Sequence, residues 1–135
     1  MRKLILSAFI LTLVLLCACA AGKLADTFDE DEVKDAAKAA AATINTRDYD
    51  AVIALLREDL QDQVTAEQLR GAWDESLVSA GVFVKYKAVT VAGTQDKTTK
   101  EDYAMAVLVC KYENGSQTFT LTFDSNYALV GLYMK

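Results

Sequence analysis

Residues 65–92 read TAEQLRGAWDESLVSAGVFVKYKAVTVA, and the hydrophobic period changes within them. Thr65 followed by Gln68 is a capping box, and Val64 with Leu69 forms the staple across it. Leu69, Ala72, Trp73, Leu77 and Ala80 then recur at helical spacing, and Gly81 stands where a helix ends in a C′ glycine. From Val82 the alternation has a period of two, which predicts a strand over residues 82–92. The phase slips near Ala88 and Val89, the mark of a bulge or bend.

Helices are also expected on the N-terminal side. Asp29 with Glu32 is a capping-box variant, and Phe28 with Val33 is its staple. Val33, Ala36, Ala37, Ala40 and Ile44 give the inner stripe of a first helix. The acids Asp29 to Glu32 suit the positive end of its dipole. They lack the glycine turn and spaced ligands of a calcium loop. After a break at Asn45-Thr46-Arg47, Asp48 caps a second helix with the stripe Tyr49, Val52, Ile53, Leu56 and Leu60.

Strands are expected on the C-terminal side. A polar connection spans Gly93 to Asp102, and residues 103–113 form a second strand that is apolar on both faces. Asn114-Gly115 signals a type I′ hairpin. A third strand covers Ser116 to Asp124, and a last one Tyr127 to Met134. The expected fold is α+β: three N-terminal helices packed on one face of a curved four-stranded antiparallel sheet, cone-like. Its limits are residues 28–135. The other face of the central strand is expected to be covered or dimeric.

The first 18 residues are set apart from this domain. Arg2 and Lys3 precede the 13-residue apolar run Leu4 to Leu16, and small residues follow, as in a secretory signal. Leu16-Cys17-Ala18-Cys19 resembles a bacterial lipobox, in which the last cysteine takes diacylglycerol and becomes the new N-terminus. That resemblance implies a signal peptide at 1–18, a lipid on Cys19, a tether at 19–27 and an extracytoplasmic address on the bacterial cell membrane. Two other readings stay open: Ala18-Cys19-Ala20 also fits ordinary secretion, and the apolar run also fits an uncleaved anchor.

Composition narrows the function. Without residues 1–18 the chain carries 12 basic and 19 acidic residues, a net charge of −7 that disfavours nucleic acid and anionic lipid head groups as partners, since both need basic patches. With no histidine in the sequence, Ser-His-Asp and Cys-His catalysis and imidazole metal sites are excluded within this chain. No cofactor and no metal site is expected. Cys110, in an apolar strand, reads as a small buried hydrophobe.

The segments Arg47-Asp48-Tyr49-Asp50-Ala51-Val52, Val64 to Leu69, Ala72-Trp73-Asp74, Gly81, Phe83 and Leu129 to Leu132 together resemble the nuclear-transport-factor-two-like (cystatin-like) cone fold. More narrowly, they are similar to a bacterial extracytoplasmic domain of unknown function built on it. That domain occurs alone in lipoproteins or ahead of a hydrolase, and it implies no catalytic set. The form expected here is the lone lipoprotein.

In a cone, Trp73 with Phe83, Tyr86 and Tyr103 would line an apolar pocket with polar tips; alternatively Trp73 plugs the core. Asp74 and Glu75 adjoin Trp73; a Tyr–Asp acid/base pair stays open to a chain without histidine, and the alternative is a solvated acidic helix face. Thr118, Thr120 and Thr122 form a row on one strand face, and Lys85 and Lys87 are placed to guard a sheet edge. The expected function is that of a non-enzymatic, membrane-anchored binding module for a small apolar ligand. One alternative is homodimerisation or docking to another envelope protein through the open sheet face. The other is a small-molecule enzyme using a Tyr–Asp pair.

Overall fold

The computed structural model describes residues 22–135, so the signal segment and Cys19 lie outside the described residues. The elements run α1 (Glu30–Asn45), α2 (Tyr49–Ala54), a 3-10 helix (Glu58–Gln63), α3 (Ala66–Ala80), β1 (Phe83–Gln95), β2 (Asp102–Tyr112), β3 (Gly115–Phe123) and β4 (Leu129–Met134). The strands form one antiparallel sheet in the order β1-β2-β3-β4. The helices pack on one side of it, and the fold is α+β, as the sequence predicts.

The caps form as read. The Asp29 carboxylate accepts from the backbone N–H of Asp31 and Glu32, and Asp48 accepts from Ala51. Thr65 and Gln68 complete a reciprocal capping box. Gly81 ends α3 at φ 83°, a conformation that strains any residue with a Cβ.

The helix-facing side of the sheet is the core. Ala104, Ala106, Leu108 and Cys110 of β2 and Phe119 and Leu121 of β3 have no exposed surface. They meet Val33, Ala37, Ala41 and Ile44 of α1, Val52 of α2, and Leu69, Trp73 and Leu77 of α3 in one cluster. Tyr112 donates to the Asn45 side chain at the end of α1, and Tyr86 donates to the Lys38 carbonyl at 3.2 Å.

Four local expectations are corrected. The second helix does not reach Leu60; it stops at Ala54. Leu55 O accepts from Leu129 N at 3.0 Å and Arg57 N donates to Leu129 O at 2.8 Å, so strand-like pairing with β4 takes the backbone groups a longer helix would need. The hairpin after β2 stands where Asn114-Gly115 predicts one, but Tyr112 pairs with Gly115 and the loop is Glu113-Asn114, in which neither residue has a positive φ. Glu113 N and Asn114 N donate instead to Val82 O and Ala80 O, and this tie to the end of α3 displaces the type I′ turn.

The slip expected near Ala88 and Val89 is present as a register shift between Tyr86 and Ala88, and a second lies between Phe83 and Lys85. These shifts leave Lys87 and Val84 as extra residues. β1 also continues through Gly93 to Gln95, where Asp96 accepts from Thr98 and Thr99 N and closes the hairpin. Gly22 and Gly93 exchange backbone hydrogen bonds at 2.7 and 2.8 Å, so part of the segment read as a tether pairs with the β1 edge.

A Cβ at Gly93 would sit 2.1 Å from the Lys23 carbonyl oxygen, far inside contact distance and against backbone. Gly93→Ala is therefore expected to release residues 22–24 from β1 while leaving the sheet folded. Amide exchange at Gly22 should accelerate, with the melting temperature lowered by only a few degrees, roughly the loss of one or two hydrogen bonds. A Gly22 amide as protected as in the parent would contradict this.

Candidate functional site

The four residues read as a pocket do not form one. Trp73 is 7% exposed and belongs to the core cluster, where it fills the space between α3 and the sheet. Phe83 and Tyr86 do meet, with ring centroids 4.8 Å apart, and Phe83 also meets the Tyr112 ring edge-on at 5.8 Å. Tyr103 lies at the other end of β2, paired with Thr94, whereas Phe83 pairs with Tyr112. Cys110 is fully buried, and burial pushes its thiol up to about 11, so it is neutral at physiological pH.

The structure contains a Tyr–Asp pair, and its tyrosine is Tyr49. The Tyr49 hydroxyl donates to Asp74 Oδ1 at 2.9 Å, and Arg47 Nε lies 3.5 Å from the same oxygen. Arg70 stacks over the Tyr49 ring at 5.5 Å. Asp48 caps α2 immediately before Tyr49, while Arg47 takes a left-handed φ of 60° in the turn. Burial first, and then the Asp74 carboxylate, push the Tyr49 phenol up to about 12. A phenol held neutral and committed to a carboxylate that also faces an arginine is a clasp between α2 and α3, and Tyr49 itself is only 1% exposed.

A second polar cluster gathers around Arg57, which the sequence did not single out. Its guanidinium reaches Asp59 at 2.7 Å, Glu101 at 3.3 Å and Asp124 at 3.8 Å. Tyr103 donates to Glu101 at 3.0 Å. Asp124 is nearly buried and accepts from the backbone N–H of Asn126 and Ala128. The cluster joins the segment after α2, the β1–β2 hairpin and the β3–β4 turn. Asp59 is two residues from Arg57, but Glu101 and Asp124 are far away in sequence, so only the fold could reveal the cluster. Among the described residues no group of three or more Cys, Asp or Glu is placed to hold a metal ion.

The sheet face away from the helices has its own pattern. Ala88, Thr90 and Ala92 of β1 pair with Val109, Val107 and Met105 of β2. These pair in turn with Thr118, Thr120 and Thr122 of β3, and Thr120 pairs with Tyr133 of β4. Met105, Val107 and Val109 are half-buried. The largest apolar exposures lie where α3 enters β1, at Val78, Val82 and Val84, which are 53%, 65% and 51% exposed.

The clasp has a pH signature. Below about pH 10, the ordinary tyrosine value, Tyr49 is protonated in folded and unfolded chains alike and the clasp contributes fully. Between about pH 10 and 12 the unfolded chain loses its phenolic proton more readily than the folded one, so stability falls as pH rises. Tyr49→Phe is expected to cost about 1–2 kcal/mol at pH 7, the worth of a hydrogen bond to a charged acceptor. It should also lessen this alkaline decline, to which the buried Cys110 and Tyr112 contribute in the same direction, read by urea unfolding at a series of pH values. A decline as steep as the parent's would remove Tyr49 as a source of it.

Comparison with known proteins adds a family. No curated protein matches the chain. An NMR structure of a protein from Ruminococcus gnavus ATCC 29149 superposes with a TM-score of 0.75 at 26% identity, over 84% of this chain and 97% of that one. The family described as "Protein of unknown function (DUF3887)" matches residues 37–132, a span that includes the clasp, the Arg57 cluster and nearly all of the sheet. The chain belongs to the DUF3887 family.

Proposed function

We propose that this protein is a lipid-anchored, extracytoplasmic docking module with a cone-like domain, and that it works through its open sheet face without catalysing a reaction. The observation that carries the proposal is the contrast between the two faces. The helix-facing side is packed with buried side chains, Trp73 included, and offers a small ligand little room. The opposite side presents Met105, Val107 and Val109 among threonines and alanines, and among the described residues no helix packs over them. Half-apolar faces of this kind are suited to a partner that brings its own sheet or loop. Anchoring is supported by Leu16-Cys17-Ala18-Cys19 directly behind an apolar run.

Each half of the proposal has its own test. In cells grown on a labelled fatty acid, the parent should carry label and remain with the membrane. Cys19→Ala should lose the label and appear in the medium or at the membrane surface. An unlabelled parent would end the anchoring claim.

For docking, a photo-crosslinking amino acid at position 107 should yield a covalent adduct in intact cells, and Val107→Arg should disrupt the same complex while leaving the fold intact. An adduct of twice the chain's mass would make the partner a second copy; a different mass would make it another envelope protein. No adduct from position 107, nor from position 120 as a second probe, would end the docking reading.

A further inference from the structure

Lys85, Lys87 and Lys111 line one open concavity of about 550 Å³, together with Tyr86, Tyr112 and Glu113. The grouping is unusual for a chain whose residues 19–135 carry a net charge of −7. Lys85 lies directly opposite Lys111 in the β1–β2 register. Like charges in that position destabilise a sheet pair. The ion pairs among the described residues use Lys34, Arg47 and Arg57, and none uses these three lysines. The nearby Glu113 carboxylate lies instead against Gly81, 3.2 Å from where a Cβ would stand.

The backbone is specialised at the same place. Both β1 register shifts fall here, and Lys87 is the extra residue of the second. A bulge disrupts the local ladder and re-aims the side chain it carries. Tyr86 and Tyr112 also border the concavity, and their hydroxyls are tied on the helix side to Lys38 O and Asn45, which holds this part of the strand pair against α1.

We infer that this concavity binds a phosphate-bearing ligand. Three lysines line it, none in an ion pair among the described residues, and two of them face each other across a strand pair they destabilise, on a bulged stretch of backbone. An anion seated among them would relieve the repulsion. Phosphate fits the donors better than carboxylate does. Lysine acts as a compact point charge that can approach a tetrahedral oxyanion from several sides, while the planar carboxylate is matched by the arginine fork, and the concavity has no arginine.

The test uses the full chain in a neutral detergent, probed with inorganic tripolyphosphate at low salt. Lysine reactivity toward an acylating reagent is read by mass spectrometry. Lys85, Lys87 and Lys111 should become protected in a saturable way, while Lys34 and Lys97 stay reactive. Citrate at equal concentration should protect less. Lys111→Gln should weaken tripolyphosphate binding about tenfold, the loss of one charge-assisted contact. In the absence of ligand it should melt no lower than the parent, because the repulsive pair is gone.

Doping the detergent with phosphatidylglycerol distinguishes sources: protection by tripolyphosphate points to a soluble phosphate compound, and protection by the lipid alone to a headgroup. Equal protection of all lysines, protection by citrate as strong as by tripolyphosphate, or undiminished binding by Lys111→Gln would each overturn the inference. Should Lys111→Gln fail to fold, Lys87→Gln asks the same question at an exposed residue outside the paired register, and undiminished binding there would overturn it as well.

Discussion

The close seating of α1 on β2 is the constraint on which the rest of the architecture hangs. α1 turns Ala37, Ala40 and Ala41 inward, and β2 answers with Ala104 and Ala106, which have no exposed surface. Small side chains on both elements let helix and strand approach closely, and a larger residue on either would push the helix off the sheet. Larger groups fill the space to either side, Leu108 and Phe119 from the sheet and Ile44, Leu69 and Trp73 from the helices. Tyr86 and Tyr112 then fasten the sheet to α1 through hydrogen bonds near its middle and its end. An interior closed from the helix side in this way leaves Trp73 as packing.

Where local physics decides, the sequence was legible. Asp29, Asp48 and Thr65 cap the helices they were expected to cap, because side-chain capping involves only the next few residues. Gly81 is likewise a local necessity. Legibility ends where a distant segment competes for the backbone. The stripe Tyr49 to Leu60 has helical spacing, yet Leu129 takes the carbonyl of Leu55 and the N–H of Arg57, and the helix yields. Asn114-Gly115 has the composition of a type I′ turn, yet the end of α3 holds Glu113 and Asn114 in a different one. In both places the tertiary hydrogen bonds outweighed a sound local preference.

The polar clusters divide along the same line. Asp74 stood out beside Trp73, but its partner Tyr49 was hidden in the apolar stripe of its own helix, where a phenol looks like any other aromatic. Position gives it away only in space: the ring is buried and the hydroxyl reaches the neighbouring helix. Arg57, Glu101 and Asp124 were not legible at all, since each reads in its own segment as an ordinary charged residue, and even the burial of Asp124 comes from the fold. The fold folds three connections back to one end of the sheet and so makes them a cluster.

The edge strand β1 brings these themes together. A free edge invites pairing with other chains, and proteins blunt such edges with lysines, bulges and short covering segments. All three devices occur here: Gly22 pairs at one end of β1, and the two register shifts with Lys85 and Lys87 lie at the other. Edge protection therefore accounts for Lys85 and Lys87 as the sequence suggested. It does not account for Lys111. That residue sits on β2, which is paired on both sides, and it guards no edge. Its position directly across from Lys85 adds repulsion without adding protection, and a polar uncharged residue would serve an exposed place in β2 at lower cost. Lys111 is the residue that edge defence leaves over, and it adds its charge to the two guarding lysines along one concavity.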